Sequence, residues 1–272
     1  MRFIFLALAF ILVGLAFAYD EREALESFYN LAGGPDWTQS DGWMTDLPIC
    51  GDDVTDPWFG IECTSDGHVA YLVLNNNNLS GKITSEIYKL EFLRSLYLND
   101  NFLTDTIPEA ICDLSNLMYL QLTHNYFIGS IPECTCGMDQ LKYFYVNNNG
   151  LTGNIPLCEE YENPFERVIE FHGHCNWFSG EVSTVFVDNE YFEELYTYCN
   201  FFDPECDPAY MYLGPEYRCT ASDSVCDDPT CRRPPIGCPM HLITMECGLY
   251  YPETPFFPEL PPYEMGCSFP ME

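Results

Sequence analysis

Five tyrosines and a set of amides recur along this chain at one fixed step. Tyr71, Ser95, Tyr119 and Tyr143 stand 24 residues apart, and so do Val73, Tyr97, Gln121 and Tyr145. Two more columns keep the step: Asn75, Asn99, Thr123 and Asn147, then Asn76, Asp100, His124 and Asn148. Carried on successive β-strands, such columns share one face, opposite the aliphatic residues between them. A tyrosine offers a wide, stiff contact surface with one hydrogen-bonding tip, and amides and hydroxyls add adaptable donors and acceptors. That chemistry is recognition of a protein or carbohydrate. The ligand contacts are expected at Tyr71, Tyr97, Asn99, Tyr119, Gln121, Thr123, His124, Tyr143, Tyr145 and Asn147. The competing reading is that Tyr and Asn merely suit β-edges and turns.

No catalytic set accompanies these columns. The sequence holds no Gly-x-Ser-x-Gly elbow, no His-Glu-x-x-His, no phosphate-cradling glycine loop and no kinase signature. With 42 Asp and Glu, chance carboxylate pairs carry no information. His172, His174 and Cys175 could ligate a metal, but no second ligand pair follows at a recognisable spacing. They read instead as a polar turn with Cys175 in a disulfide. The expectation is a non-enzyme with no cofactor and no metal.

The elements that must present the columns are written four times over 68–158: HVAYLVLNNNNLSGKI, FLRSLYLNDNFLTDTIP, NLMYLQLTHNYFIGSIP and QLKYFYVNNNGLTGNIP. Leu72 and Leu74, Leu96 and Leu98, Leu120 and Leu122, and Phe144 and Val146 alternate with period two, which predicts short strands with one buried face. Asn77, Asn101, Asn125 and Asn149 follow, able to bond backbone groups inside a turn. Leu79, Leu103, Phe127 and Leu151 point back inward. Gly81, Gly129 and Gly153 permit a bend, and Ile-Pro is expected to restart an extended segment. One such phrase cannot bury its own apolar face. A period of this size predicts a solenoid whose coils share one core and whose strands form a parallel sheet. Cys112 and Cys136 are 24 apart, as are Cys134 and Cys158. Equivalent residues on stacked coils lie about 4.8 Å apart, which predicts rung-to-rung bridges Cys112–Cys136 and Cys134–Cys158.

The phrase resembles the plant-type leucine-rich repeat, LxxLxLxxNxLxGxIPxx. The resemblance covers about 20–182, with Asp105 at a glycine position and Lys82-Ile83-Thr84 in place of x-Ile-Pro. It implies an α/β repeat fold: a short right-handed leucine-rich-repeat solenoid, parallel β-sheet on the concave face, N-terminal helical cap and Cys-rich C-terminal module. Residues 20–63 resemble that family's N-terminal cap. Asp20 and Glu23 form a capping-box-like start, Ala24, Leu25, Phe28, Tyr29 and Ala32 recur at helical spacing, and Gly33-Gly34-Pro35 stops the helix. Trp37, Trp43 and Trp58-Phe59-Gly60-Ile61-Glu62-Cys63 match the cap, and this resemblance implies a Cys50–Cys63 disulfide. Among family members, the likeness is to polygalacturonase-inhibiting proteins and to receptor-kinase ectodomains.

Residues 1–18 read as a secretory signal: Arg2, an apolar run, then Ala16-Phe17-Ala18. The 15 cysteines fit an oxidising destination, and a formal charge of −32 excludes nucleic acid and anionic lipid as partners. No later run is long and apolar enough to span a membrane. Asn78-Leu79-Ser80 is a glycosylation sequon, which places a glycan on Asn78. The cap runs 19–67 and the repeats 68–182, four regular and one degraded (VIEFHGHCNWFSGEV, 168–182). A Cys-rich cap or module follows over 183–250, then a Pro-rich tail over 251–272. Residues 183–198 carry a helical apolar stripe through Leu195. Cys175 with the eight later cysteines makes an odd set, which admits a disulfide-linked dimer. The function expected is secreted, extracellular, non-catalytic binding, as an inhibitor or co-receptor-like module. Two alternatives are a structural wall or matrix protein and an enzyme housed in the Cys-rich module.

Overall fold

Each 24-residue phrase folds as one coil: a strand, a turn built on an asparagine and a second short strand, followed in the first three phrases by a 3-10 turn. The structure is a computed structural model that describes residues 20–51, 58–161, 164–180, 191–192, 194–196 and 201–202. The expected signal sequence, the expected tail and nearly all of the expected Cys-rich module lie outside these residues.

An α-helix, α1, covers 20–31 of the described chain. The strands are β1 (Ile61–Cys63), β2 (Val69–Val73), β3 (Ser80–Gly81), β4 (Ser95–Tyr97), β5 (Phe102–Leu103), β6 (Tyr119–Gln121) and β7 (Ile128–Gly129). They continue with β8 (Tyr143–Tyr145), β9 (Gly150–Gly153), β10 (Glu170–His172), β11 (Trp177–Gly180), β12 (Glu194–Tyr196) and β13 (Phe201–Phe202). One seven-stranded sheet has the order β1-β2-β4-β6-β8-β10-β12. Its neighbours are parallel except at the start, where β1 runs antiparallel to β2. A second face carries the sheet β13-β11-β9-β7 and the pair β3-β5.

The period-two aliphatic residues make the core. Leu72, Leu74, Leu96, Leu98, Leu120, Leu122, Phe144 and Val146 are all fully buried, each removing enough apolar surface to contribute about 2 kcal/mol. Leu79, Leu103, Phe127 and Leu151 close the core from the turn side.

The turn asparagines join coil to coil. The Asn125 amide nitrogen donates to the carbonyls of Leu98 (2.8 Å), Leu122 (3.2 Å) and Thr123 (3.2 Å), and its oxygen accepts from Leu103 N–H at 3.0 Å. Asn101, Asn149 and Asn176 repeat the pattern one coil away each. Asn77 performs it on the cap, bonding both backbone groups of Gln39 at 2.7 and 2.8 Å.

Gly81 and Asp105 occupy the same bend, at φ 106° and 69°. Asp is among the few side chains that tolerate this left-handed region. At Gly81 no side chain would fit, since a Cβ would lie 2.2 Å from the Leu31 carbonyl at the end of α1. That close approach seats α1 on the first coil. Ala24, Leu25, Phe28 and Ala32 are buried there, and Trp37, Trp43 and Trp58 pack in series at 4.9 and 5.0 Å.

Three expectations need correction. After Ile-Pro the chain forms 3-10 turns, Glu109–Asp113 and Glu133–Gly137, with Pro108 and Pro132 as the extended residues just before them. Proline has no N–H to lose there, and its fixed φ suits entry to a helical turn. Residues 194–196, expected within a helix, form β12 in parallel register with β10. A free sheet edge offers unpaired backbone groups that outweigh a weak helical pattern.

The third correction concerns disulfides. Cys112–Cys136 and Cys134–Cys158 are not the bridges. The structure joins Cys112 to Cys134 and Cys136 to Cys158, with Cα separations of 5.8 and 5.6 Å. Residues at the same register of stacked coils have parallel Cα–Cβ vectors, whereas a disulfide needs Cβ atoms that converge. The diagonal partner lies 22 residues on, two positions before the same-register residue. Cys50 and Cys63 are joined, Cα atoms 5.8 Å apart. Cys175 is also disulfide-bonded.

Candidate functional site on the concave sheet

The register of the large sheet lines up the columns. Tyr71, Ser95, Tyr119, Tyr143 and Glu170 pair in sequence, as do Val73, Tyr97, Gln121, Tyr145 and His172. The five tyrosines are half-buried, their edges packed on neighbouring coils and their outer surfaces in reach of a ligand.

Their rings form a continuous series across the strands. Tyr97 and Tyr119 have centroids 6.2 Å apart. Tyr119 and Tyr143 stack at 4.7 Å with planes 9° apart. Tyr143 meets Tyr145 edge-on at 6.3 Å. Tyr145 lies 4.3 Å from His172, and His172 lies 6.0 Å from His174. Each good ring pair contributes about 1 kcal/mol beyond its burial, so the tyrosines arrive at a ligand already ordered. An ordered side chain loses little entropy on binding.

Polar groups tune this series. The Tyr145 hydroxyl donates to the Glu170 carboxylate, which also lies 3.7 Å from His172 Nε2. Burial holds the His172 imidazole below its usual pKa, and the Glu170 charge partly offsets this. Burial pushes the Tyr97 phenol up, against a Ser95 hydrogen bond that lowers it. Tyr97 is therefore a neutral donor at any physiological pH.

The remaining expected contacts divide. Gln121 and Asn99 are half-buried, and Asn99 donates to Asp100 at 2.8 Å. His124 Nδ1 sits 3.1 Å from an Asp100 carboxylate oxygen. Thr123 and Asn147 are only 7% exposed and lie between coils, too deep to meet a ligand without rearrangement. Asn76, Asp100, His124 and Asn148 all take positive φ, from 51° to 57°. Asn, Asp and His are enriched in that conformation, so backbone geometry accounts for this column's residue types. Asn78 of the sequon is exposed, and its amide donates to the Asp36 carbonyl at 2.7 Å.

Glu170 and His172 belong to the face and were not expected on it. The step from Asn149 to Asn176 is 27 rather than 24. Counting back from Asn176, by its role as the turn asparagine, would have aligned Glu170 with Tyr143 and His172 with Tyr145.

Residues 91–151 match the family described as Leucine rich repeat. No curated protein matches the chain. Among solved structures, a plant ice-binding protein is similar with a TM-score of 0.58 and 22% identity. The match covers 68% of this chain, which spans 57% of that protein. The leucine-rich-repeat ectodomain of the receptor kinase SOBIR1 from Arabidopsis thaliana gives 0.55 at 22% identity, covering 67% of this chain and 94% of that one. The BIR3–SERK2 complex from Arabidopsis thaliana gives 0.52 at 22%, covering 66% and 93%. At such identity the likeness is one of fold. The repeat phrase, the family match within it and this shared architecture show that the chain has a leucine-rich-repeat solenoid fold of the plant type.

Proposed function

We propose that this is a secreted, non-catalytic recognition protein that takes a protein or peptide ligand across its concave sheet. The observation that carries the reading is the ring series from Tyr97 to His174, which spans four neighbouring strands and the turn after the last. Pre-ordered tyrosines on a rigid parallel sheet are a strong anchor for a polypeptide. Structures of similar fold include the BIR3–SERK2 and PEPR1–AtPEP1 complexes, the latter with a TM-score of 0.50 at 21% identity. Extracellular placement is supported by the disulfides at Cys50, Cys112 and Cys136. Among the described residues, no helix is long and apolar enough to cross a membrane.

The test is capture from an extracellular fraction by the native chain and by Tyr97→Ala/Tyr119→Ala/Tyr145→Ala in parallel. A protein or peptide retained by the first and lost by the second, at similar melting points, supports the reading. Equal retention by both moves the site off the concave sheet. An intact-mass measurement of the same secreted material shows whether Asn78 carries a glycan.

A further inference from the structure

The second face of the solenoid carries an exposed ladder of its own, on the opposite side of the turn asparagines. Phe102 is 43% exposed, Tyr126 38% and Ile128 54%. Large apolar groups left this open in a cluster mark a binding surface more often than chance. Phe102 and Tyr126 lie on successive coils with centroids 6.2 Å apart and planes 15° from parallel. Exposed hydroxyl residues flank them at coil spacing: Ser80, Thr104 and Thr152 in one column, Thr106 and Ser130 in the next. The small strands β3, β5, β7 and β9 hold these columns rigid.

Charge narrows the partner. The ionic groups within this ladder are Lys82 and Asp105, which face each other at 3.7 Å. Beyond Ser130 and Asn154 the face runs into an open depression of about 430 Å³ whose far wall holds Glu133, Glu159 and Glu160. With a formal charge of −32 on the chain, a polyanion or a second copy approaching this face is repelled. A cationic peptide finds no unpaired acid inside the ladder. What fits is a neutral molecule with apolar faces, many hydroxyls and its own linear repeat.

We propose that the Phe102–Tyr126–Ile128 face binds a neutral, linear polysaccharide of equatorial linkage. Such a chain presents axial C–H faces that pack on the two rings. Its ring-edge hydroxyls exchange hydrogen bonds with Thr104, Thr106, Ser130 and Thr152. Successive sugars follow successive coils, which repeat about every 4.8 Å. The site is separate from the concave sheet, so this inference stands or falls independently of the proposed function.

The experiment is depletion of the full secreted chain by insoluble cellulose and by chitin, with polygalacturonate as the anionic control. The protein is used both as secreted and with Asn78→Gln, which removes any glycan of its own from the neighbouring coil. Retention on at least one neutral polymer is expected, at least ten-fold weaker for Phe102→Ala/Tyr126→Ala. Tyr97→Ala/Tyr119→Ala should bind the polymer as the native chain does. Both residues of the test pair are exposed, so an unchanged melting point confirms folding. Three results overturn the proposal: no retention on either neutral polymer, preference for polygalacturonate, or full retention by Phe102→Ala/Tyr126→Ala. A native dimer in sedimentation that this pair dissociates would also overturn it, by assigning the face to a second copy.

Discussion

Two ladders run the length of the solenoid with the same 24-residue step, and they do opposite things. The asparagines at 77, 101, 125 and 149 are between 2% and 6% exposed, with every amide group bonded to backbone. The tyrosines, at 71, 119 and 143 in one column and 97 and 145 in the next, are half-buried, and the rings from Tyr97 to Tyr145 pack in series. Periodicity alone therefore says nothing about function. What separates the ladders is where the polar atoms go. An amide consumed by the backbone of two coils is a structural part, whereas a phenol left at the edge of a pre-ordered stack is available for binding.

The sharpest way to break this contrast is Asn125→Ala. It leaves the buried Leu103 N–H without its partner and takes one of two donors from each of the Leu98, Leu122 and Thr123 carbonyls, which keep the Asn101 amide, the Asn149 amide and the Asp100 N–H. An unsatisfied buried group costs about 1–3 kcal/mol and each other lost hydrogen bond about 0.5–1.5 kcal/mol, so a loss of roughly 3 kcal/mol or more is expected in denaturant titration. Asn99→Ala, one coil away but half-exposed, should change stability by less than about 0.5 kcal/mol. Equal costs would mean that burial does not divide the two kinds of amide.

The disulfides come next in size. Replacing Cys112 and Cys134 together by Ser removes a bridge of separation 22, worth about 3 kcal/mol if its effect lies mainly in the unfolded chain. Non-reducing peptide mapping should link Cys112 to Cys134 and Cys136 to Cys158. A Cys112–Cys136 peptide would restore the same-register pairing and contradict the diagonal geometry.

These cases show what could be read from residue types and what could not. The asparagine ladder was legible because a polar residue recurring inside an apolar phrase has few places to put its amide. The tyrosine columns were legible because strand alternation is rigid. Disulfide partners were not, because spacing gives the distance between coils but not the direction of a Cβ. Glu170 and His172 stayed hidden because three inserted residues broke the count, although the turn asparagine at 176 survived to mark the register. β12 was missed because its pairing comes from an open sheet edge, which no local pattern records.

Tyr119→Ala tests the other ladder. Its ring stacks on Tyr143 at 4.7 Å, an interaction worth about 1 kcal/mol, and a cost of that order is the expected change in stability. Capture of a concave-face ligand should fall far more, at least ten-fold, because a central aromatic anchor is lost. A stability cost as large as that of Asn125→Ala would make Tyr119 a structural residue and remove the distinction between the ladders.

His172 carries the ring series on from the last tyrosine, and its titration gives the smallest effect. Burial lowers its folded-state pKa below the ordinary value of 6.5, with Glu170 working against that shift. A base with a depressed folded pKa favours the fold in its neutral form. Its contribution is therefore fully present above about pH 6.5 and is lost as pH falls through the lower folded value. Melting points of the native chain should decline over that acid range, and His172→Gln should flatten this part of the profile while leaving the neutral-pH value nearly unchanged. A native profile that instead rises on acidification would mean that the Glu170 charge, not burial, governs the imidazole. The end of the tyrosine ladder would then be an ion pair rather than a ring contact.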